Sequence, residues 1–317
     1  MSLDICLATY NGASWIKDFL NSLDVQTYED WRLIVSDDNS KDGTIELIKD
    51  HFSQNSEKLV IVRRDQAGLG VIKNFQDAID ASNAEYILLA DQDDVWRPEK
   101  LDVLYQTMRQ VEQERGTPAL VFSDLEVVDE QLRLLDASWW SFSSAKPTWV
   151  TSFRGLICQN VVPGCAMMLN RSLIDLALPF PPGTLMHDWW LLLVCSAFGK
   201  VGFCHDSLVR YRRHADAHTY WGKEGFITRL SQHLSARYAT RRKTKDIYER
   251  TVLQGRSFAE AYGDKLVAVE GGSSMNKALD AYITSLERGW WRRRWLLMIN
   301  RFRCASLMET VKFYMYI

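Results

Sequence analysis

The chain has 317 residues, 47% of them hydrophobic, and carries a formal charge of −2 with a pI near 6.3. That length and apolar content exclude a disordered chain and allow one large α/β domain with an extension, or two domains. The balanced charge lacks the basic footprint of a nucleic-acid binder, and no apolar run reaches the ~18 residues of a membrane span.

In chain order, the first half alternates short apolar runs with stretches of helical spacing. LDICLAT (3–9) predicts a strand ending in the polar turn YNGAS, and WIKDFLNSL (15–23) predicts a helix. WRLIVSDD (31–38) and TIELIKDHF (44–52) repeat the pair. So do KLVIVRR (58–64) and VIKNFQDAIDAS (71–82), the latter entered through the glycines of AGLG. YILLA (86–90) follows, then a helix over 99–113 after Pro98, and a strand ALVFSD (119–124). This β-α-β-α-β-α-β order of near-continuous apolar strands points to an α/β fold, a mostly parallel sheet with helices on both faces. Residues 138–165 read as a Ser- and Trp-rich loop, GCAMMLN (164–170) as a strand, 187–199 as a helix, and KVGFCHDSLVRYRRH (200–214) as a last strand-like run. From about 222 the pattern is helical and more basic, so 1–220 is separated from an extension, 221–317.

MSLDICLATYNG (1–12) has no basic stretch ahead of a long apolar one, so no secretory leader is expected. Six cysteines, at 6, 158, 165, 195, 204 and 304, form no CxxC pair and sit mostly in apolar runs, as in the reduced core of a cytoplasmic protein.

Carboxylates collect where strands end. Asp37 and Asp38 close one, Asp91, Asp93 and Asp94 a second, and Asp124 a third. Open α/β sheets bind ligands beyond the carboxyl ends of their strands, so these side chains are expected on one rim. Three like charges in four positions need an offset: a divalent cation or exposure to water. Mg²⁺ or Mn²⁺ suits hard oxygen ligands and is usually held by one or two carboxylates plus substrate phosphates. SDDNSKDGT (36–44) superficially matches a calcium loop, but position twelve is Lys49 instead of Glu. Asp42 reads as a cap for the helix that follows.

ATYNGASWIKDFLNSLDVQTYEDWRLIVSDDNSKDGT (8–44) and YILLADQDDVWRPEKL (86–101) closely resemble the family 2 inverting glycosyltransferases of GT-A fold. HDWWLLLVCSAFGKVGF (187–203) and RYRRHADAH (210–218) resemble the bacterial rhamnosyltransferase-type members. The resemblance covers about residues 3–220 and implies a Rossmann-like GT-A fold. It further implies a nucleotide-sugar donor across the strand rim, with Mg²⁺ or Mn²⁺ on its diphosphate. By the same resemblance Thr9, Tyr10 and Asn11 line the base and ribose pocket, and Asp38 reads the base. Lys73 takes the place of an Arg near the nucleotide, and Asp91 and Gln92 contact the donor. Asp93 is the expected metal ligand, with Asp91 on ribose or metal and His214 as a further ligand. Asp188 is the expected general base, because the acceptor hydroxyl must lose its proton as it attacks the anomeric carbon. It also stands where a helix cap would. The family often has Glu-Asp there; this chain has His187-Asp188.

The expected function is sugar transfer from a dTDP- or UDP-sugar, dTDP-rhamnose foremost, to a glycan or lipid-linked acceptor in bacterial surface polysaccharide synthesis. The alternatives are a nucleotidyltransferase of similar fold, although ATYNGAS lacks a Gly-rich basic phosphate loop, and a non-catalytic nucleotide-sugar-binding protein. Trp139, Trp140 and Trp149 form an acceptor platform or pack their loop onto the sheet. The basic and aromatic tail, 288–317, suits peripheral contact with an anionic membrane, nucleic acid, or packing on the main domain.

Overall fold

Four parallel strands open the fold: β1 (Leu3–Thr9), β2 (Trp31–Asp37), β3 (Leu59–Val62) and β4 (Tyr86–Asp91), in the order β3-β2-β1-β4. The computed structural model describes residues 2–62, 68–112, 114, 116–214, 235–304 and 307–317. β1, β2 and β4 are buried along nearly their whole length because helices cover both faces. α1 (Ile16–Asp24), α2 (Thr44–His51) and α3 (Gly70–Asp80) make the crossovers. α1 shows why they pack: Ile16, Phe19, Leu20 and Leu23 recur at helical spacing, and all four are buried. The short β5 (Val95–Trp96) and α4 (Lys100–Val111) follow.

Beyond β4 the sheet becomes mixed. β6 (Ala119–Val128), β7 (Leu134–Asp136), β8 (Met167–Asn170) and β9 (Lys200–Arg212) continue it as β4-β8-β6-β9-β5, with β7 on β6. β8 runs antiparallel to β4 and β6, so β6 and β9 again point the way β4 does. The expected mostly parallel α/β fold is thus present.

The differences have local causes. ALVFSD does not end at Asp124, because the apolar LEVV carries β6 on to Val128. Asp124 therefore lies inside the strand, at a register irregularity, and accepts from the N–H of Leu125 and Trp140 and from Ser138 Oγ. The expectation that Asp124 ends its strand is thereby corrected. The stretch read as a loop holds α5 (Trp139–Ser143), a 3-10 turn at Pro147–Thr151 and α6 (Phe153–Cys158). The serines that suggested a loop are the caps of these helices: Ser138 Oγ accepts from Ser141 N at 3.2 Å and Ser152 Oγ from Gly155 N at 3.1 Å. Trp139 is buried against Tyr211, Trp140 packs edge-on to Phe122, and Trp149 covers Gly155, where a Cβ would come within 2.7 Å of its ring. Packing, not an exposed platform, describes all three.

α7 (Arg171–Ala177) and α8 (His187–Phe198) lead into the C-terminal helices, α9 (Ser235–Val267), α10 (Gly272–Ser285), α11 (Trp290–Ile299) and α12 (Leu307–Tyr316). Phe258 packs on Trp190 and Phe153, and Tyr262 Oη donates to Leu176 O at 2.9 Å. One apolar cluster runs from Leu3 to Ile317. The division placed near 220, Arg63, Arg64 and Ala67, and residues 215–218 of RYRRHADAH lie outside the described residues. No helix among the described residues is long and apolar enough to cross a membrane.

Candidate active site

Register sets the rim. Thr9 pairs with Asp37 across β1 and β2, and Ala8 with Asp91 across β1 and β4, so three strands finish level. The chain winds from β1 outward to β3 and returns on the other side at β4, which makes the β1/β4 boundary the switch point where such sheets open a crevice. The turns after β1 and β2 are tied together. Asn11, at φ 46°, donates its N–H to Ser40 Oγ and accepts Lys41 N–H on Oδ1. Ala13 N donates to Asp42 Oδ2, and Asp42 Oδ1 accepts Thr44 N, the expected cap.

The residues expected to meet the nucleotide divide into exposed and engaged groups. Tyr10 is 58% exposed over the crevice. Thr9 Oγ1 donates to Asp37 Oδ1 at 2.7 Å. Gln92 holds the Tyr10 backbone at both ends, accepting its N–H and donating to its carbonyl, each at 3.0 Å. A Cβ at Gly12 would lie 2.3 Å from Gln92 Oε1, so only glycine admits this clamp. Asp38 is buried and accepts from Gly68, Leu69 and Gly70 N at 2.9, 3.1 and 3.0 Å. It therefore caps α3 from 30 residues away, where Leu69 at the N-cap position has no side-chain acceptor of its own. Lys73 lies on the outer face of α3 and pairs with Asp77 at 2.7 Å.

At the end of β4 the three carboxylates have different surroundings. Asp93 Oδ2 stands 2.7 Å from His214 Nε2, and the imidazole stacks on Trp15. Asp91 is pushed up to about 7 by lost hydration, by Asp93 and by Asp188, which places Asp91 within electrostatic reach of both. Asp94 is fully buried and pushed well up for the same first reason, then by Asp93 and Asp91. Its Oδ1 accepts Arg212 N at 3.1 Å, and its Oδ2 has no hydrogen-bond partner among the described residues. Two basic residues lie beside these carboxylates. Lys100, fully buried, donates to Cys165 O at 2.6 Å, lies 3.2 Å over the Trp96 ring, and is pushed down to about 7 by burial. Arg212, also buried, donates to Asp93 O at 2.8 Å, Glu130 O at 2.6 Å and Asp18 Oδ2 at 2.7 Å.

Sequence reasoning expected Asp94 on this rim but missed Lys100 and the contacts that Arg212 makes here. Lys100 had no visible signal, because it opens a helix whose pattern marks it as a surface lysine. Arg212 had a weak one, its place two residues before His214.

Asp188 lies in the first turn of α8, 6% exposed. Its Oδ2 accepts Gly164 N at 3.0 Å and its Oδ1 accepts Trp189 N at 2.6 Å. Burial pushes it up to about 6, and these N–H groups together with the Asn160 side chain pull the other way. A carboxyl that titrates near neutrality at a helix start can take a proton at physiological pH. His187 beside it is buried, stacked on Phe75 of α3 at 3.7 Å, and held neutral by burial, at about 3. Neither ring nitrogen has a partner among the described residues. Its sequence signal was the departure from Glu-Asp.

The donor chemistry fits a hard divalent cation. Asp91 and Asp93 offer oxygens and His214 an imidazole nitrogen. Among the described residues the group whose ligand atoms all lie within 4.8 Å of one another is Asp91, Asp94 and Cys165, whereas the expected set of Asp91, Asp93 and His214 is not drawn that close. Burial pushes the Cys165 thiol well up, however, so it stays a protonated donor to the carboxylates instead of a thiolate ligand.

The profile of Glycosyl transferase family 2 matches residues 4–175, which carry β1 to β8 and the rim carboxylates. The chain belongs to that family. A glycosyltransferase of Nostoc sp. is 24% identical over 222 residues, 68% of this chain and 65% of its own length. The dTDP-rhamnosyl transferase RfbG of Shigella flexneri is 34% identical over 98 residues, 30% of this chain and 34% of its own. The matches thus span less than two thirds of these relatives. Staphylococcus aureus TarS (residues 1–349) in complex with UDP-GlcNAc superposes with a TM-score of 0.58 at 16% identity, covering 99% of this chain and 78% of its own. Mannosyltransferase PcManGT of Pyrobaculum calidifontis, in complex with GDP-Man and Mn²⁺, gives 0.53 at 13%, covering 94% and 72%. At those identities the likeness establishes the GT-A-type fold, as expected from the sequence.

Proposed function

We propose that this family 2 glycosyltransferase is an inverting, metal-dependent enzyme of the cytoplasm. It moves a sugar from a dTDP- or UDP-linked donor to a glycan or lipid-linked acceptor in bacterial surface polysaccharide synthesis. The observation that carries the reading is Asp188, a carboxyl buried in the first turn of α8, held by two backbone N–H groups and raised to about 6 by that burial. One displacement at the anomeric carbon needs a base on one side and a stabilised diphosphate on the other. Asp188 takes the acceptor proton. Its two backbone N–H bonds fix the carboxylate toward Gly164 and Trp189. Thr9, Tyr10 and Asn11 border the base and ribose, with Tyr10 exposed for stacking. Asp91, Asp93 and His214 would hold Mg²⁺ or Mn²⁺, which when bound neutralises the departing diphosphate. The Shigella relative favours a dTDP-rhamnose donor, and the TarS complex a UDP-sugar.

A panel of dTDP-, UDP- and GDP-sugars incubated with Mn²⁺ or Mg²⁺ tests this. One donor should yield its nucleoside diphosphate and thermally stabilise the protein. Asp93→Ala should lose the metal-dependent part of donor affinity in calorimetry. Wild-type affinity that is the same with and without metal would remove the metal from the reading, and no release or stabilisation by any donor would remove the transferase itself.

A further inference from the structure

α11 carries apolar side chains on its outer face. Leu297 points inward and is fully buried, whereas Trp291, Trp295, Met298 and Ile299 recur at helical spacing toward solvent, 76%, 63%, 59% and 52% exposed. Much of the inner contact is polar: the Arg293 guanidinium donates to Ser285 O, Leu286 O and Ile317 O. Arg294 donates to Met315 O, which seats α12 beside α11, and α12 leaves Val311 and Met315, four residues apart, also exposed. Among the described residues every exposed tryptophan lies on α11. The same stretch is basic: seven Lys or Arg stand against one Glu in 288–317, in a chain whose net charge is −2. Arg288, Arg292, Arg301 and Arg303 are exposed around the apolar stripe.

A stripe of this kind exposes apolar area at a cost of roughly 25 cal/mol per Å², so it implies a partner. Nucleic acid would use the arginines and tryptophans but gains nothing from Met298, Ile299, Val311 and Met315. A bilayer interface uses all of them: aliphatic side chains reach the acyl boundary, indoles sit among headgroups, and arginines meet lipid phosphates. Each helix has ten residues, too short to span.

We infer that α11 and α12 form a docking surface for an anionic lipid bilayer, on which they lie flat. This surface is separate from the transferase site and does not depend on that assignment. The test is co-sedimentation of the full chain with phosphatidylcholine vesicles, with and without phosphatidylglycerol. Binding to the anionic vesicles should exceed binding to the neutral ones at least tenfold and fall as salt rises. Trp291→Ala with Trp295→Ala, and separately Arg292→Glu with Arg303→Glu, should each reduce anionic partitioning about tenfold. Neither pair should change the melting temperature or donor turnover. Either pair partitioning like wild type would overturn the inference. So would vesicle-free dimerisation that the tryptophan pair abolishes, which would make the partner a second copy. Preference for single-stranded RNA over vesicles would overturn it as well.

Discussion

Asp188 is pulled in two directions: burial raises its pKa, and the N–H groups of Gly164 and Trp189 lower it, with burial the stronger. As a base it works ionised, so kcat/KM should rise about tenfold per pH unit below 6 and level off above it. Asp188→Asn should bind donor normally and lose transfer by ~10²–10⁴-fold in steady-state assays, and its residual rate should lack that limb. Near-normal turnover would reassign the base. Stability moves the other way. The folded pKa lies above the unfolded value, so the folded state binds more protons between about 4 and 6, and wild type loses stability as pH rises through that window. Asp188→Asn lacks this loss, so its melting temperature relative to wild type should be most favourable at pH 8. His187 is the second residue under tension. A buried imidazole with two unbonded nitrogens costs ~1–3 kcal/mol, so His187→Leu, close in volume, should raise the melting temperature by a few degrees. An unchanged or lower value would mean that the ring nitrogens are bonded through water.

At the scale of elements, α3 begins without a local cap, and a distant carboxylate supplies one. Asp38→Ala should therefore cost about 1–2 kcal/mol, read as a lower denaturant midpoint at unchanged slope. Spacing reveals a helix's length but not which strand end serves its N-terminus, so Asp38 looked like a ligand contact alone. Strands were legible where apolar runs were long, as in β1, β2 and β4. β8, four residues long, gave no hint of its antiparallel direction, because that depends on a partner more than 75 positions earlier. Ser138 and Ser152 misled in an instructive way: the residue type that breaks helices also starts them. Asp91, Asp93 and Asp188 were legible because a carboxylate at a strand end or helix start is visible in one dimension.

Across the whole molecule, the C-terminal helices share the core. Leu297, Phe302, Phe313 and Ile317 are buried, and each such side chain contributes ~1.5–3 kcal/mol. A chain ending at 287 should melt well below the full protein in calorimetry, so point variants, not truncation, probe the tail's surface. The basic residues beside the rim were the least legible feature, since Lys100 and Arg212 meet the Cys165 and Asp93 carbonyls only after the sheet has closed. Arg212 has a consequence of its own. Its guanidinium grips the Asp93 carbonyl, the Glu130 carbonyl and the Asp18 carboxylate, while the Asp93 side chain stays outside that grip. The peptide is pinned by Arg212 and the carboxylate separately by His214, so a ligand that displaced the imidazole would free one fingertip and leave the knuckle, and the sheet behind it, unmoved.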